Sequence, residues 1–192
     1  MAAAVPSAAA DLRAEPWDDS GLPEVDLFCF DIDGTLVRSF MREGGGGASQ
    51  DFDLVEALPG RLEMLRSLKG DYPIALVTNQ AGVVFGYQTE TQVREKMRRV
   101  LFALELSPST PVFVCFAHPQ RSGPPINVTR RRSCWDPMMR KPNPGMLIEA
   151  MDLYGIEPDR TLFVGDMDTD RQAAAAAKCH YGDATEFFEG GL

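Results

Sequence analysis

Residues 25–35 read Val-Asp-Leu-Phe-Cys-Phe-Asp-Ile-Asp-Gly-Thr, and this stretch decides the fold class. Its first six residues are mostly apolar and have the length of a short buried β-strand. Two carboxylates, Asp31 and Asp33, follow at once, and Gly34 allows the chain to turn there without a Cβ clash. In open parallel α/β sheets, ligands bind beyond the carboxyl ends of the strands. We therefore expect a binding site at the end of this strand.

Strand-like and helix-like segments alternate along the rest of the chain. Short apolar runs predict strands at residues 25–30, 74–77, 111–116 and 161–164. Apolar residues at helical spacing predict helices at residues 58–69, 89–104, 144–154 and 169–177. Because the connecting segments are too short to fold alone, we predict a single three-layer, Rossmann-like α/β domain. Its sheet is mostly parallel, and it has no cap domain.

Local signals predict where the helices begin and end. Thr89 and Gln92 have the spacing of a capping box at the start of the second predicted helix. Asn143 followed by Pro144 predicts an N-cap and first helical residue for the third, and Gly155 predicts its end.

Length and composition favour one globular core. The 192 residues are 44% hydrophobic and 24% charged, as in an ordinary globular chain. The Ala-rich N-terminus lacks a basic region and an apolar core, so we expect neither a secretory signal nor a transit peptide. We predict a disordered tail at residues 1–23, a single folded domain at residues 24–192, and a flexible loop tip at Gly44–Gly47.

The cysteines indicate a reducing compartment. The chain has four, at positions 29, 115, 134 and 179, and none forms a CxxC pair. Cys29 and Cys115 lie in apolar runs, where a free cysteine behaves as a small hydrophobic side chain. We therefore expect a cytoplasmic protein without disulfides.

No run of residues in the sequence is long and apolar enough to span a bilayer.

Charge is unevenly distributed. The net charge is −9 at pH 7, which disfavours nucleic-acid binding in general. Residues 121–141 nevertheless carry six cations and one anion, so this segment is +5 and the rest of the chain is −14. The segment includes Arg130, Arg131 and Arg132 and ends at Arg140 and Lys141. The arginines are either a solvated surface or a binding element for anionic groups.

Further polar residues follow the other predicted strands. Thr78 and Asn79 follow the second strand, Asp166 follows the fourth, and Lys141 precedes the third predicted helix. These junctions converge on one crevice in a parallel sheet. Carboxylates, an ammonium and a hydroxyl at one site suit phosphoryl transfer, which depends mainly on positioning and charge neutralisation.

Each residue type has a separate task in that chemistry. Asp31 and Asp166 provide hard oxygen ligands of the kind that Mg²⁺ prefers. Lys141 and Thr78 can bind the transferring phosphoryl group. Asp33, two residues beyond Asp31, can protonate the leaving oxygen and then deprotonate water.

Four segments resemble, in order, the four motifs of the haloacid-dehalogenase (HAD) superfamily. They are DIDGT at residues 31–35, LVTNQ at 76–80, RKPNPGM at 140–146 and VGDMDTD at 164–170. The second and third are similar to the subgroup that contains heptose-bisphosphate phosphatases, histidinol phosphatases and polynucleotide 3′-phosphatases.

The resemblance implies a role for each motif residue. Asp31 would be the nucleophile and Asp33 the general acid and base. Thr78 and Lys141 would bind phosphate. Asn79 and Arg140 would contact substrate. Mg²⁺ would be bound by Asp31, the Asp33 carbonyl and Asp166. Asp170 would support the site without binding the metal.

A zinc site is a further possibility raised by the resemblance. Heptose and histidinol phosphatases carry a zinc loop before the RKP motif, with the pattern Cys-x-His followed by Cys-x-Cys. Here Cys115 and His118 have one extra residue between them, and Asp136 follows Cys134 in place of the last cysteine. A structural Zn²⁺ on these four residues is chemically possible, and a metal-free loop is the alternative.

These observations predict a Mg²⁺-dependent phosphomonoesterase that works through an aspartyl-phosphate. The substrate is expected to be small and to carry more than one anionic group, such as a heptose bisphosphate. A nucleic-acid 3′-phosphatase is the alternative. A phospho-accepting receiver module is an alternative of another class, although its acceptor lies mid-chain, whereas Asp31 ends the first strand and is followed by Asp33.

Overall fold

The computed structural model of the protein describes residues 24–38, 55–123 and 134–190. Its five strands are β1 (Leu27–Phe30), β2 (Ile74–Asn79), β3 (Val112–Cys115), β4 (Thr161–Gly165) and β5 (His180–Asp183). Its five α-helices are α1 (Arg61–Leu68), α2 (Glu90–Ala103), α3 (Gly145–Tyr154), α4 (Asp168–Ala177) and α5 (Ala184–Glu189). Two 3₁₀ turns, Pro137–Met139 and Pro158–Arg160, precede α3 and β4.

The strands form one parallel sheet in the order β3-β2-β1-β4-β5. The first strand is central, and Phe30 lies opposite Leu76 of β2 on one side and Val164 of β4 on the other. The strand order reverses at β1, so the ends of β1, β2 and β4 surround the switch point of the sheet. Ligands bind at such a point in open α/β sheets.

The helices cover both faces of the sheet. Phe28 and Phe30 point to the face that packs against α1, α2 and α5, whereas Leu27 and Cys29 point to the face that packs against α3 and α4. All four side chains of β1 are buried because both faces are covered. Burial of a large apolar side chain stabilises the fold by about 1.5–3 kcal/mol, so β1 is firmly anchored below the site. The predicted three-layer arrangement is confirmed.

Most of the predicted elements are present, with shifts at their ends. The capping box of Thr89 and Gln92 begins α2, and Gly155 ends α3 in a left-handed conformation, both as predicted. The start of α3 was predicted wrongly. Pro144 is the N-cap, and the side-chain Nδ2 of Asn143 instead donates to the carbonyl of Pro137. The first helix begins at Arg61, because Gly60 adopts a left-handed conformation with φ 77°.

The last strand, β5, and the last helix, α5, were not predicted from the sequence. Residues 180–183 read His-Tyr-Gly-Asp, which lacks the apolar run of a buried strand. Pairing with β4 nevertheless orders them as β5, because an edge strand needs only one partner.

Several predictions lie outside the described residues. These are the tail at residues 1–23, the loop tip at Gly44–Gly47 and the arginines at 130–132. Within the described ranges there is no second sheet and no separate cap. None of the helices described is both long and apolar enough to span a membrane.

Candidate active site

Asp31 and Asp166 follow the two central paired strands. The Asp31 amide donates to the Val164 carbonyl at 2.9 Å, which continues the β1–β4 ladder by one residue. Because those strands are parallel and in register, both carboxylates emerge at the same edge of the sheet. Asp31 is buried, while Asp166 is exposed. One side of the site is therefore open to solvent and substrate.

Lys141 links two buried carboxylates. Its Nζ donates to Asp31 Oδ1 and lies 2.7 Å from Asp170 Oδ1. The side chain is 4% exposed, and its ammonium is 5.5 Å from the centre of the Phe163 ring. A buried ammonium is stable only when such partners compensate for its lost hydration. The lysine therefore stays charged beside the predicted nucleophile.

Asn79 positions the backbone of Lys141. Its Nδ2 donates to the Lys141 carbonyl at 3.1 Å, and its Oδ1 accepts from the Lys141 amide at 3.1 Å. Both polar atoms of the Asn79 side-chain amide are thus hydrogen-bonded to the backbone of Lys141. These two hydrogen bonds fix the RKP segment against β2. Contact between Asn79 and substrate stays a prediction.

Three carboxylates form a group that suits a divalent cation. Ligand oxygens of Asp31, Asp166 and Asp170 lie within 4.8 Å of one another. Lys141 compensates for one of the three negative charges, which leaves a surplus of two. An all-oxygen donor set with that surplus fits Mg²⁺. Among the described residues, this is the one group of three or more potential ligands with such spacing.

Burial and a neighbouring like charge both raise the pKa of Asp31, the predicted nucleophile. Burial raises the pKa of the Asp31 carboxyl to about 7, the Lys141 ammonium opposes that rise, and the Asp170 carboxylate adds to it. Burial alone would lower the pKa of Lys141, but the carboxylates of Asp31 and Asp170 together raise it. A cation beside Asp31 would favour the ionised carboxylate that nucleophilic attack requires.

Gly34 is required by the close approach of Asp166. The glycine has φ 98°, and a Cβ there would lie 2.2 Å from Asp166 Oδ2. Thr35, the next residue, donates from Oγ1 to Asp166 Oδ1 at 3.2 Å. The turn after β1 therefore holds the carboxylate that follows β4.

Asp33 is held on both of its carboxylate oxygens. Lys96 Nζ of α2 donates to Oδ1 at 2.6 Å, and Gln80 Nε2 donates to Oδ2 at 2.6 Å. The same Gln80 nitrogen donates to Thr78 Oγ1 at 3.0 Å. Asp33, the acid–base candidate, and Thr78, the candidate phosphate ligand, are thus connected through the buried Gln80 side chain.

Sequence reasoning overlooked Lys96 and Gln80. A signal for the lysine was present, since it lies among Val93, Met97 and Val100 on the apolar side of α2. A cation in an apolar stripe indicates a buried partner. The role of Gln80 could not be predicted, because nothing in a linear sequence connects it to Asp33.

Arg140 lies beside Lys141 and is partly buried. Its Nη1 donates to the Ala117 carbonyl at 3.1 Å, which ties the RKP segment to the loop after β3. Burial lowers the pKa of this guanidinium. Contact between Arg140 and substrate stays a prediction.

The zinc prediction finds no support. Cys115, His118, Cys134 and Asp136 are all described, yet they do not form a group with metal-ligand spacing. Cys115 Sγ faces the Asp136 carbonyl at 3.7 Å, and the Asp136 side chain caps the 3₁₀ turn through the Met138 amide. His118 Nδ1 accepts from the Gln120 amide. Burial raises the pKa of the Cys115 thiol to about 11, which disfavours the thiolate that zinc requires.

Comparison with known proteins agrees with this geometry. The model of the polynucleotide kinase 3 phosphatase family matches residues 26–189. A D-glycero-beta-D-manno-heptose-1,7-bisphosphate 7-phosphatase of Salmonella typhi is 36% identical over 135 residues, which cover 68% of each chain.

Two solved structures share the fold. A protein of Mesorhizobium loti described as a HAD-like phosphatase has a TM-score of 0.63 and 28% identity, covering 82% of this chain and 71% of its own. The D,D-heptose 1,7-bisphosphate phosphatase of B. bronchiseptica, complexed with magnesium and phosphate, has a TM-score of 0.61 and 26% identity. That match covers 82% of this chain and 79% of the other.

The fold and the carboxylate–lysine site define a HAD-like phosphatase, a hydrolase that removes phosphate. Within that class, the chain belongs to the polynucleotide kinase 3 phosphatase family. The superfamily resemblance inferred from the four motifs is confirmed.

Proposed function

We propose that this phosphatase hydrolyses a small sugar bisphosphate, with a heptose 1,7-bisphosphate as the first candidate, through a phosphorylated Asp31. The observation that carries the chemistry is the buried Asp31–Lys141 pair beside Asp166 and Asp170. The relative from Salmonella typhi supports the substrate, since a heptose 1,7-bisphosphate is what its name says it acts on.

The first half of the reaction forms the phosphoenzyme. An Asp31 carboxylate oxygen attacks phosphorus, and the bond from phosphorus to the substrate oxygen breaks. Lys141, between Asp31 and Asp170, offsets negative charge on the transferring group. Thr78 can donate its hydroxyl hydrogen to a phosphoryl oxygen. Asp33 gives its proton to the departing alkoxide.

The second half releases phosphate. Asp33, now ionised, takes a proton from a water molecule as that water attacks the phosphorus of the phosphoenzyme. The bond between phosphorus and Asp31 breaks, which restores both carboxyl groups to their starting states. One residue can perform both proton transfers because the two steps are chemical mirror images.

Asp31, Asp166 and the Asp33 carbonyl are the proposed ligands of Mg²⁺. The ion would screen the repulsion between the nucleophilic carboxylate and the phosphate dianion. Asp170, although close enough to share in such a group, is engaged by Lys141 and by the Met167 amide. We assign it a supporting role.

A substrate with two anionic groups fits the charge distribution. Lys141 suffices for the phosphate that is cleaved, and Arg140 lies next to it. Arginine suits a second phosphate because its planar fork can donate two parallel hydrogen bonds. The basic segment at residues 121–141 is the proposed source of that recognition.

A polynucleotide 3′-phosphatase is the second candidate. It is favoured by the description of the matching family and by an aromatic cluster on the loops after β2 and β3. Phe85 stacks on Tyr87 with ring centres 5.9 Å apart, meets His118 edge-on at 4.8 Å and lies under the Arg121 guanidinium. Tyr87 is exposed and Phe85 is partly buried, and aromatic rings of this kind beside arginine can stack on bases. The receiver-module alternative is wrong, because the chain is a phosphatase.

A substrate panel tests this proposal. Purified protein with Mg²⁺ is assayed on heptose 1,7-bisphosphate, histidinol phosphate, nucleotides and a 3′-phosphorylated oligonucleotide. We expect the highest kcat/KM on the sugar bisphosphate and little dependence on salt. A preference for the oligonucleotide that weakens steeply with ionic strength would instead establish the second candidate.

The mechanism is tested with two conservative variants. Asp31→Asn should abolish turnover, because an amide cannot form the phosphoenzyme. Asp33→Asn should slow turnover by about 10²–10⁴-fold, the usual contribution of general acid–base catalysis. Wild-type turnover by a folded Asp31→Asn variant would refute the aspartyl-phosphate route.

We also propose a cytoplasmic location. Cys29, Cys115 and Cys179 carry free thiols in the part of the chain that the structure describes, and Cys29 and Cys115 are buried. Free buried thiols are usual in a reducing compartment.

A further inference from the structure

Lys96 is buried at a place where a hydrophobic residue would fit. It lies in α2 beside Val93, Met97 and Val100 and is 7% exposed. Burying an ammonium costs several kcal/mol unless it is paired, and replacing a buried ion pair with apolar residues is often neutral or stabilising. Packing of the helix therefore gives no reason for a lysine here. The reason lies in its partner, Asp33.

The Asp33 carboxylate is fixed by two donors from different elements. Lys96 binds Oδ1 and Gln80 binds Oδ2, each at 2.6 Å. Rotation of the carboxylate about its Cβ–Cγ bond would disrupt both contacts, so the plane of the group is set. Each oxygen keeps a second lone pair, which is available for a proton in transit.

The second donor is itself held in place. Gln80 is buried, donates to Thr78 Oγ1 at 3.0 Å and accepts at its Oε1 from Gln88 Nε2 at 3.3 Å. Its position is therefore set by contacts within the protein. Lys96 reaches the carboxylate from α2, which the capping box at Thr89 anchors.

We propose that Lys96 is a positioning residue for the acid–base step, holding the Asp33 carboxylate in the orientation from which it transfers protons. This inference rests on the proposed role of Asp33 as general acid and base. Lys96 acts through Asp33 and does not touch the substrate. Misplacement of a catalytic group by about 1 Å can cost 10²-fold in rate, so loss of one of two anchors should be measurable.

Leaving-group dependence tests the proposal. The leaving alkoxide of heptose 1,7-bisphosphate needs a proton, whereas p-nitrophenolate departs without one. Lys96→Met keeps the length of the buried stem and removes the charge. We expect kcat/KM to fall by about 10- to 10²-fold for the alkyl phosphate and by less than about 3-fold for p-nitrophenyl phosphate. If heptose bisphosphate is not a substrate, the best alkyl phosphate of the panel replaces it.

A double-mutant cycle tests whether the lysine acts through Asp33. In the Asp33→Asn background, adding Lys96→Met should change kcat/KM for the alkyl phosphate by less than about 3-fold, because the proton donor is already gone. Additive losses in the double variant would overturn the proposal.

A matched control separates positioning from general damage. Arg98 is a cation of the same helix, and its exposed guanidinium pairs with Glu95 at 3.0 Å. Arg98→Met should leave both substrates unaffected. If Lys96→Met does not accumulate as folded protein by circular dichroism, Lys96→Gln is measured in its place, because its shorter side chain cannot reach the position of Nζ.

The outcomes distinguish this inference from the proposed function. Equal losses on both substrates, or no loss on either, would overturn the role of Lys96 while Asp33→Asn still reports on the mechanism. Full activity of Asp33→Asn would instead overturn the acid–base role on which the inference rests.

Discussion

At the scale of single residues, the environment of Asp31 should couple proton binding to the proposed binding of Mg²⁺. The carboxyl is buried beside Lys141 and Asp170, and its pKa is raised to about 7 mainly by burial. A raised pKa means that the group holds its proton until the pH rises through about 7. Mg²⁺ binds only the ionised form, so proton and metal compete.

The affinity for Mg²⁺ should therefore fall as the pH decreases through 7. We expect the Kd measured by titration calorimetry to rise by up to about 10-fold per pH unit below the pKa of Asp31, since one proton is displaced per ion bound. Above pH 8 the Kd should be nearly constant. The variant Asp166→Asn, which removes a proposed ligand, should bind weakly throughout. A Kd that is equal at pH 6 and pH 8 would contradict the coupling.

At the scale of elements, the turn after β1 helps to set the geometry of the three carboxylates at the proposed Mg²⁺ site, those of Asp31, Asp166 and Asp170. Gly34 and Gly70 both have left-handed backbones, with φ of 98° and 105°. A Cβ on Gly34 would overlap Asp166, whereas a Cβ on Gly70 would meet nothing within 4 Å. Substitutions at these two glycines therefore distinguish the effect of backbone strain alone from the added effect of a collision with Asp166.

Alanine at each glycine should thus give different results. Gly70→Ala should lower the free energy of unfolding by about 1 kcal/mol through strain alone and leave activity intact. Gly34→Ala should cause the same strain and also displace Asp166, so Mg²⁺ affinity and kcat should both fall. Chemical denaturation and Mg²⁺ titration of the two variants provide the comparison. Equal activity of the Gly34→Ala and Gly70→Ala variants would contradict this prediction, because it would show that activity tolerates displacement of Asp166.

At the scale of the whole molecule, the basic segment stands out against an acidic chain. Residues 121–141 carry +5 while the chain as a whole carries −9. Three of the cations, Arg130 to Arg132, lie outside the described residues, so their role is predicted from sequence alone. The segment leads directly into Lys141, which pairs with Asp31, the proposed nucleophile.

Replacement of Arg130, Arg131 and Arg132 by alanine should raise KM far more than it lowers kcat. The lost interaction with a second anionic group is present in both the ground state and the transition state. Steady-state kinetics on the best substrate of the panel measures the split. An unchanged KM would identify the three arginines as a solvated surface.

Much of the fold and the centre of the site could be predicted from the sequence. Apolar runs and capping residues are local signals, so four strands and the start of α2 were found where expected. Asp31, Asp166 and Lys141 follow from the rule that parallel strands end at one edge. The edge strand β5 was missed because its stability comes from pairing with β4 and not from its own residues.

Only the tertiary structure decided which side chains meet. Lys96 and Asp33 are 63 residues apart, and no periodicity relates them. Asn79 turned out to hold the Lys141 backbone, and the four residues proposed for zinc do not assemble into a metal-binding group. The sequence determines local conformation and the burial of apolar faces through short-range sterics and hydrophobicity. Contacts between distant polar groups depend on the packing of α2 and the loops around the sheet, which only the folded chain specifies.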